Sequence, residues 1–121
     1  MRESIIGEKS FRFAVSIINI YKNLITSKNE YILSKQLLKS GTSIGANVRE
    51  ALEGQSKKDF ISKISIALKE AVETEYWIEL LCETDYIDSN LAESILDELK
   101  QIIKILNRII KTTKKNLAIE N

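Results

Sequence analysis

An all-α fold, a single antiparallel four-helix bundle of up-down-up-down topology, is what this 121-residue sequence predicts, and three observations predict it. There is no proline and there are only four glycines, too few turn residues for an all-β chain. Apolar residues recur at alternating spacings of three and four along nearly the whole length, which is the period of one helical face. Three capping patterns divide that repeat into four segments, at about 4–26, 29–53, 57–84 and 90–115. Short connections between long helices make antiparallel neighbours the economical topology. A chain of this length forms one domain, residues 1–121, and buries roughly two thirds of the surface that its unfolded form exposes.

In the first helix, Phe11, Ala14, Ile18, Tyr21 and Ile25 are expected to form the buried face, widened by Val15, Ile17 and Leu24. Ser27 and Glu30 then read as a capping box, so the second helix is expected to start almost at once. Its core stripe runs Leu33, Leu37, Ser40, Ile44, Asn47 and Ala51, straight through the unusual segment LLKSGTSIGANVREALEGQSKKDF. Gly41 and Gly45 each cost about 1 kcal/mol relative to alanine in a helix interior. Close approach of a neighbouring helix offsets such a cost; a kink or a ligand groove is the sharper alternative. No GxxxxGK pattern supports a phosphate loop. Asn47, inward on the stripe, and Glu50, one turn on, are read as structural polar residues.

Ser56 and Asp59 form a second capping box after the turn at Gly54, and Phe60, Ile64, Ala67, Ala71, Thr74, Ile78 and Leu81 keep bundle spacing for three heptads. Ile66, Trp77 and Leu80 lie on a separate face with Glu73 and are expected to be exposed at a subunit interface, unless a neighbouring helix covers them. Asn90 with Glu93 starts the fourth helix, which carries two apolar stripes: Leu91, Ile95, Leu99, Ile102, Leu106 and Ile109, then Leu96, Ile103 and Ile110. Residues after Lys115 read as a frayed tail.

The net charge of +1 conceals a segregation along the chain. Ten acidic residues and no basic one lie between Lys69 and Lys100, and six basic residues and no acidic one lie from Lys100 to Lys115. In an up-down-up-down bundle, Arg49, Lys57, Lys58, Lys63, Arg108, Lys111, Lys114 and Lys115 gather at one end, where they are candidates to hold a phosphate backbone without reading sequence. A solvated charged face is the plainer reading of the same run.

Catalytic constellations are missing. There is no histidine, so neither a Glu-x-x-His di-metal site nor a histidine-paired nucleophile is available, and no cofactor is implied. Glu73 and Glu75 point to different helix faces, which disfavours a paired-carboxylate catalyst. Cys82 is single, which rules out an intrachain disulfide, and its acidic neighbours oppose a thiolate. No apolar run approaches the length of a membrane span, and the N-terminus lacks a secretory h-region; a cytoplasmic, non-enzymatic protein is expected.

The run SKQLLKSGTSIGANVREA, followed by QSKKDFISKISIALKEAVETEYWIELL and TDYI, resembles the four-helix bundle family first met as proteins encoded by intervening sequences within large-subunit ribosomal RNA genes. The spacing from Ser43 through Asn47, Glu50, Ser56, Lys57, Phe60, Ala67, Glu73 and Glu75 to Tyr86 matches that family's pattern without gaps. Departures fall at Gly45, where many members have proline, at Ala51, where many have glycine, and at Gly54, where a basic residue is common. The resemblance implies a small bacterial protein that assembles as a homopentameric barrel without enzymatic activity. It is also similar to the accessory variability determinant of diversity-generating retroelements, which implies RNA or DNA, and a reverse transcriptase, as partners. A protein-interaction scaffold with no nucleic-acid contact is the competing expectation.

Overall fold

The computed structural model describes residues 4–120. Four helices account for nearly all of them: α1 (Ile5–Thr26), α2 (Leu33–Leu52), α3 (Lys57–Glu83) and α4 (Ser89–Glu120), and no strand occurs among the described residues. Each helix packs on its neighbour in sequence, and α1 also packs on α4; α1 and α3, like α2 and α4, do not approach each other. The helices therefore surround one core with α1 diagonal to α3.

Helix starts follow from side-chain oxygens that satisfy the free amides of a first turn. Ser4 accepts from the Gly7 amide at 3.2 Å, and Ser56 from the Asp59 amide at 3.1 Å. The expected box at Ser27 and Glu30 is corrected. Ser27 closes α1, and the Glu30 carboxylate instead accepts from the amides of Ile32, Leu33 and Ser34 at 3.3, 3.1 and 2.6 Å. A left-handed Asn29, with φ of 53°, turns the chain between them, so α2 begins four residues later than expected. Burial raises the Glu30 carboxyl, but the three amides and the Ser34 side chain outweigh it and hold the group below the usual carboxylate range. Asp88 rather than Asn90 starts α4, accepting from the Leu91 amide at 2.8 Å. The expected frayed tail is also corrected, since α4 continues to Glu120.

The core settles which stripe of each helix faces inward. In α3 the buried residues Ile64, Ala67, Ala71, Thr74, Ile78 and Leu81 are those that the spacing selects, with Phe60 half-buried at the edge. In α1 the expected stripe is wrong. Ile6, Ser10, Phe13, Ile17, Ile20 and Leu24 are buried, whereas Phe11, Val15 and Ile18 are exposed by 57%, 45% and 37%. Both sets have helical spacing, and Ser10 disguises the true one. Its hydroxyl donates to the Ile6 carbonyl at 2.7 Å, which allows a polar residue to sit in the core. In α2, Val48 takes the core position expected of Asn47; Asn47 is half-buried and its amide donates to the Ser43 carbonyl of its own helix at 2.8 Å. In α4 the inward line is Ala92, Ile95, Leu99, Ile102 and Leu106, while Leu91 is exposed.

Gly41 and Gly45 are the contact points of α1 and α2. A Cβ on Gly41 would stand 2.8 Å from Cγ2 and 2.9 Å from Cγ1 of Ile17, and one on Gly45 would stand 3.2 Å from the Ser10 carbonyl oxygen. Close helix approach is thus what offsets the intrinsic cost of glycine there. Between α2 and α3, the buried hydroxyls of Ser40 and Thr74 are hydrogen bonded at 2.9 Å, so the polar atoms at that crossing satisfy each other.

Candidate functional site

The eight candidate basic residues occupy four settings. Arg49, on the last turns of α2, lies with its guanidinium carbon 5.8 Å from the centroid of the Phe11 ring, within range of a cation–π contact. Lys63 pairs with Glu50 at 3.0 Å, both partly exposed, which ties α3 to α2 and neutralises that lysine. Lys57 and Lys58 stand exposed on the first turn of α3, where the helix dipole already presents positive charge. Arg108, Lys111, Lys114 and Lys115 are all exposed on the distal half of α4. The structure therefore engages Arg49 and Lys63 with neighbours inside the bundle and leaves the four α4 cations turned to solvent.

α4 continues past these cations to Glu120 and its last turn carries no basic residue, so the helix dipole does not account for the α4 cluster. Lys57 and Lys58 are different, because two cations at a helix start work against the dipole. The acidic run is largely exposed as well: Glu73, Glu79, Glu83, Asp85, Asp88, Glu93, Asp97 and Glu98 all face solvent. Among the described residues no three His, Cys, Asp or Glu side chains converge as a metal site, and no helix is long and apolar enough to cross a membrane.

The expected interface residues divide. Ile66 is exposed by 40%, but Trp77 and Leu80 are half-buried, and Trp77 packs against the core with its ring edge-on to Tyr76 at 5.0 Å between centroids. Trp77 is next to the core residue Ile78, close enough on the helix for a large ring to reach the hydrophobic interior. Its indole N–H is shielded from solvent and has no acceptor among the described residues. The uncovered apolar surface of α3 is instead Ile66, Val72 and Tyr76.

Sequence reasoning missed a second region. An open groove of about 1040 Å³ runs between α1 and α2, with Phe11, Ala14, Gly45, Ala46, Arg49 and Leu52 among its walls. Glu8, Glu50 and Glu53 also line it. The signal was present as a second apolar stripe on α1, which was assigned to the core.

Residues 2–108 match the family model described as 23S rRNA-intervening sequence protein. Among solved structures, the chain resembles a crystal structure of a protein with unknown function from the S23 ribosomal protein family of Bacteroides thetaiotaomicron. That likeness has a TM-score of 0.87 and 54% sequence identity, and covers 88% of this chain and 99% of the other. No curated protein matches the chain. The family match stops at residue 108, so Lys111, Lys114 and Lys115 lie beyond it.

Proposed function

The chain belongs to the 23S rRNA-intervening sequence protein family, and we propose that it is a non-enzymatic accessory protein of a nucleic acid or ribonucleoprotein, acting in the cytoplasm. The observation that carries this reading is the solvent-facing cluster Arg108, Lys111, Lys114 and Lys115, which makes no ion pair among the described residues. Such a cluster attracts phosphate through counterion release and reads no sequence.

The geometry supports an antiparallel bundle. Gly7 lies near Leu52 and Gly41 near Ile17, while Glu50 pairs with Lys63 and Ser40 with Thr74, so residue numbers run in opposite directions across α1 and α2 and across α2 and α3. Lys57 and Lys58 then belong to the same end as the α4 cations. Self-association multiplies that end, and a pentamer is the assembly the resemblance implies. Exposed apolar residues on two diagonal helices, Phe11, Val15 and Ile18 on α1 and Ile66, Val72 and Tyr76 on α3, suit a head-to-tail ring in which unlike faces meet. Several weak sites on one particle then act together. A reverse transcriptase is a further partner where a retroelement lies alongside the gene.

The same exposed apolar faces favour one competing reading, a protein-interaction scaffold with no nucleic-acid contact. Binding of labelled RNA and DNA at low salt separates the two. Binding that weakens when Lys111, Lys114 and Lys115 become glutamate supports the accessory role through the α4 cluster; no binding supports the scaffold, and binding indifferent to those changes overturns the assignment to that cluster.

A further inference from the structure

The basic residues of α4 form a straight ridge as well as a terminal cluster. Lys100, Lys104, Arg108, Lys111 and Lys115 follow one another at intervals of four, four, three and four, so they share one line along the helix, and all five are exposed. At 3.6 residues per turn that line falls on the side of α4 opposite Ala92, Ile95, Leu99, Ile102 and Leu106, which are buried. The ridge is therefore the outermost edge of the helix, about 22 Å long from the rise per residue. None of the five makes an ion pair or a side-chain hydrogen bond among the described residues. Glu93 and Asp97 lie on the same line just before Lys100, and they set where the ridge begins.

Two features decide what kind of nucleic acid such a ridge suits. Single strands are held on aromatic side chains that stack with the bases, and α4 contains no Phe, Tyr or Trp. A base-reading helix carries Asn, Gln or Arg aimed at base edges, whereas four of the five ridge residues are lysines, which act as point charges. A straight row of lysines with no stacking partner matches the regular phosphates of a duplex.

We infer that the outer edge of α4, from Lys100 to Lys115, is a docking ridge for the phosphate backbone of double-stranded nucleic acid, independent of base sequence. This rests on the nucleic-acid reading above and extends it to Lys100 and Lys104, which lie back from the basic end. RNA and DNA duplexes present the same backbone chemistry to it.

The test uses the full-length protein and the variant K100E/K104E, with duplexes of about 20 base pairs and a single strand of equal length, in roughly 50 mM salt. The two positions face away from the core, and circular dichroism checks the fold. Should charge reversal disturb the helix, K100Q/K104Q removes the charge at nearly unchanged helix propensity. The expected result is duplex binding that weakens about tenfold or more in the variant, with a salt slope shallower by roughly two. Single strands should bind more weakly, and RNA and DNA duplexes within a few-fold of each other. Duplex binding that K100E/K104E leaves unchanged overturns the ridge and leaves the basic-end reading standing. Tighter binding of the single strand, or discrimination beyond tenfold between RNA and DNA duplexes, overturns the duplex-backbone assignment. No binding of any nucleic acid overturns the ridge and the functional reading together.

Discussion

The α1–α2 crossing and the distal half of α4 are the two most unusual regions of the chain, and they are unusual in opposite ways. The crossing concentrates glycine, serine and alanine, and the structure uses them for contact: Gly41 lies against Ile17 and Gly45 against Ser10. The distal half of α4 is an ordinary amphipathic helix in composition, yet its basic side chains are exposed and make no ion pair within the described residues. Oddity of sequence thus marks architecture in one region, while unused charge marks the candidate function in the other. The two also differ in reach, since the crossing lies inside the family match and the last three lysines lie outside it.

The sharpest way to break this contrast is to fill the crossing. Gly41→Leu forces a side chain against the β-branched Ile17, and the expected loss is about 3 kcal/mol of stability in urea or thermal unfolding. A variant as stable as the parent would mean that the helices separate readily and that the glycines have another purpose.

Glu30→Gln is the next largest, with an expected loss of about 1–2 kcal/mol at neutral pH because three amides lose a charged acceptor. The sign with pH follows from the lowered carboxyl. A depressed folded-state pKa contributes stability that is fully present above the unfolded carboxylate's titration range and is lost as pH falls through the folded value. Parent and variant should therefore converge in acid, measured as melting temperature against pH; a gap that persists at low pH would contradict the capping role.

Breaking the Glu50–Lys63 pair is expected to matter less. Both side chains are partly exposed, so Glu50→Gln should change stability by roughly 0.5 kcal/mol or less. A larger loss would show that the pair holds α2 against α3 more firmly than its exposure suggests.

How much was legible in the sequence can be judged residue by residue. The α3 stripe was readable because that helix has a single strong apolar line and both its neighbours use it. The α1 stripe was misread because the helix has two lines of equal quality, and the correct one includes a serine, Ser10, which is satisfied by its own backbone. The start of α2 was misplaced because Glu30 caps from outside the helix after a left-handed turn, which spacing rules do not anticipate. The basic cluster was visible as a charge run, and folding sorted it: Arg49 and Lys63 found partners within the bundle, whereas Lys100 and Lys104, read only as part of the run, joined an exposed line.

The central claim is that the basic edge of α4 serves binding and contributes little to the fold. The most direct measurement is the dependence of duplex affinity on salt for the parent and for K111E/K114E/K115E, with thermal unfolding of both run alongside. The account expects an unfolding midpoint almost unchanged, since exposed substitutions usually alter stability by no more than about 0.5 kcal/mol. It also expects a log–log slope shallower by roughly three, near one per lysine. An unchanged slope, or a loss of binding that appears only together with a large fall in stability, would contradict it.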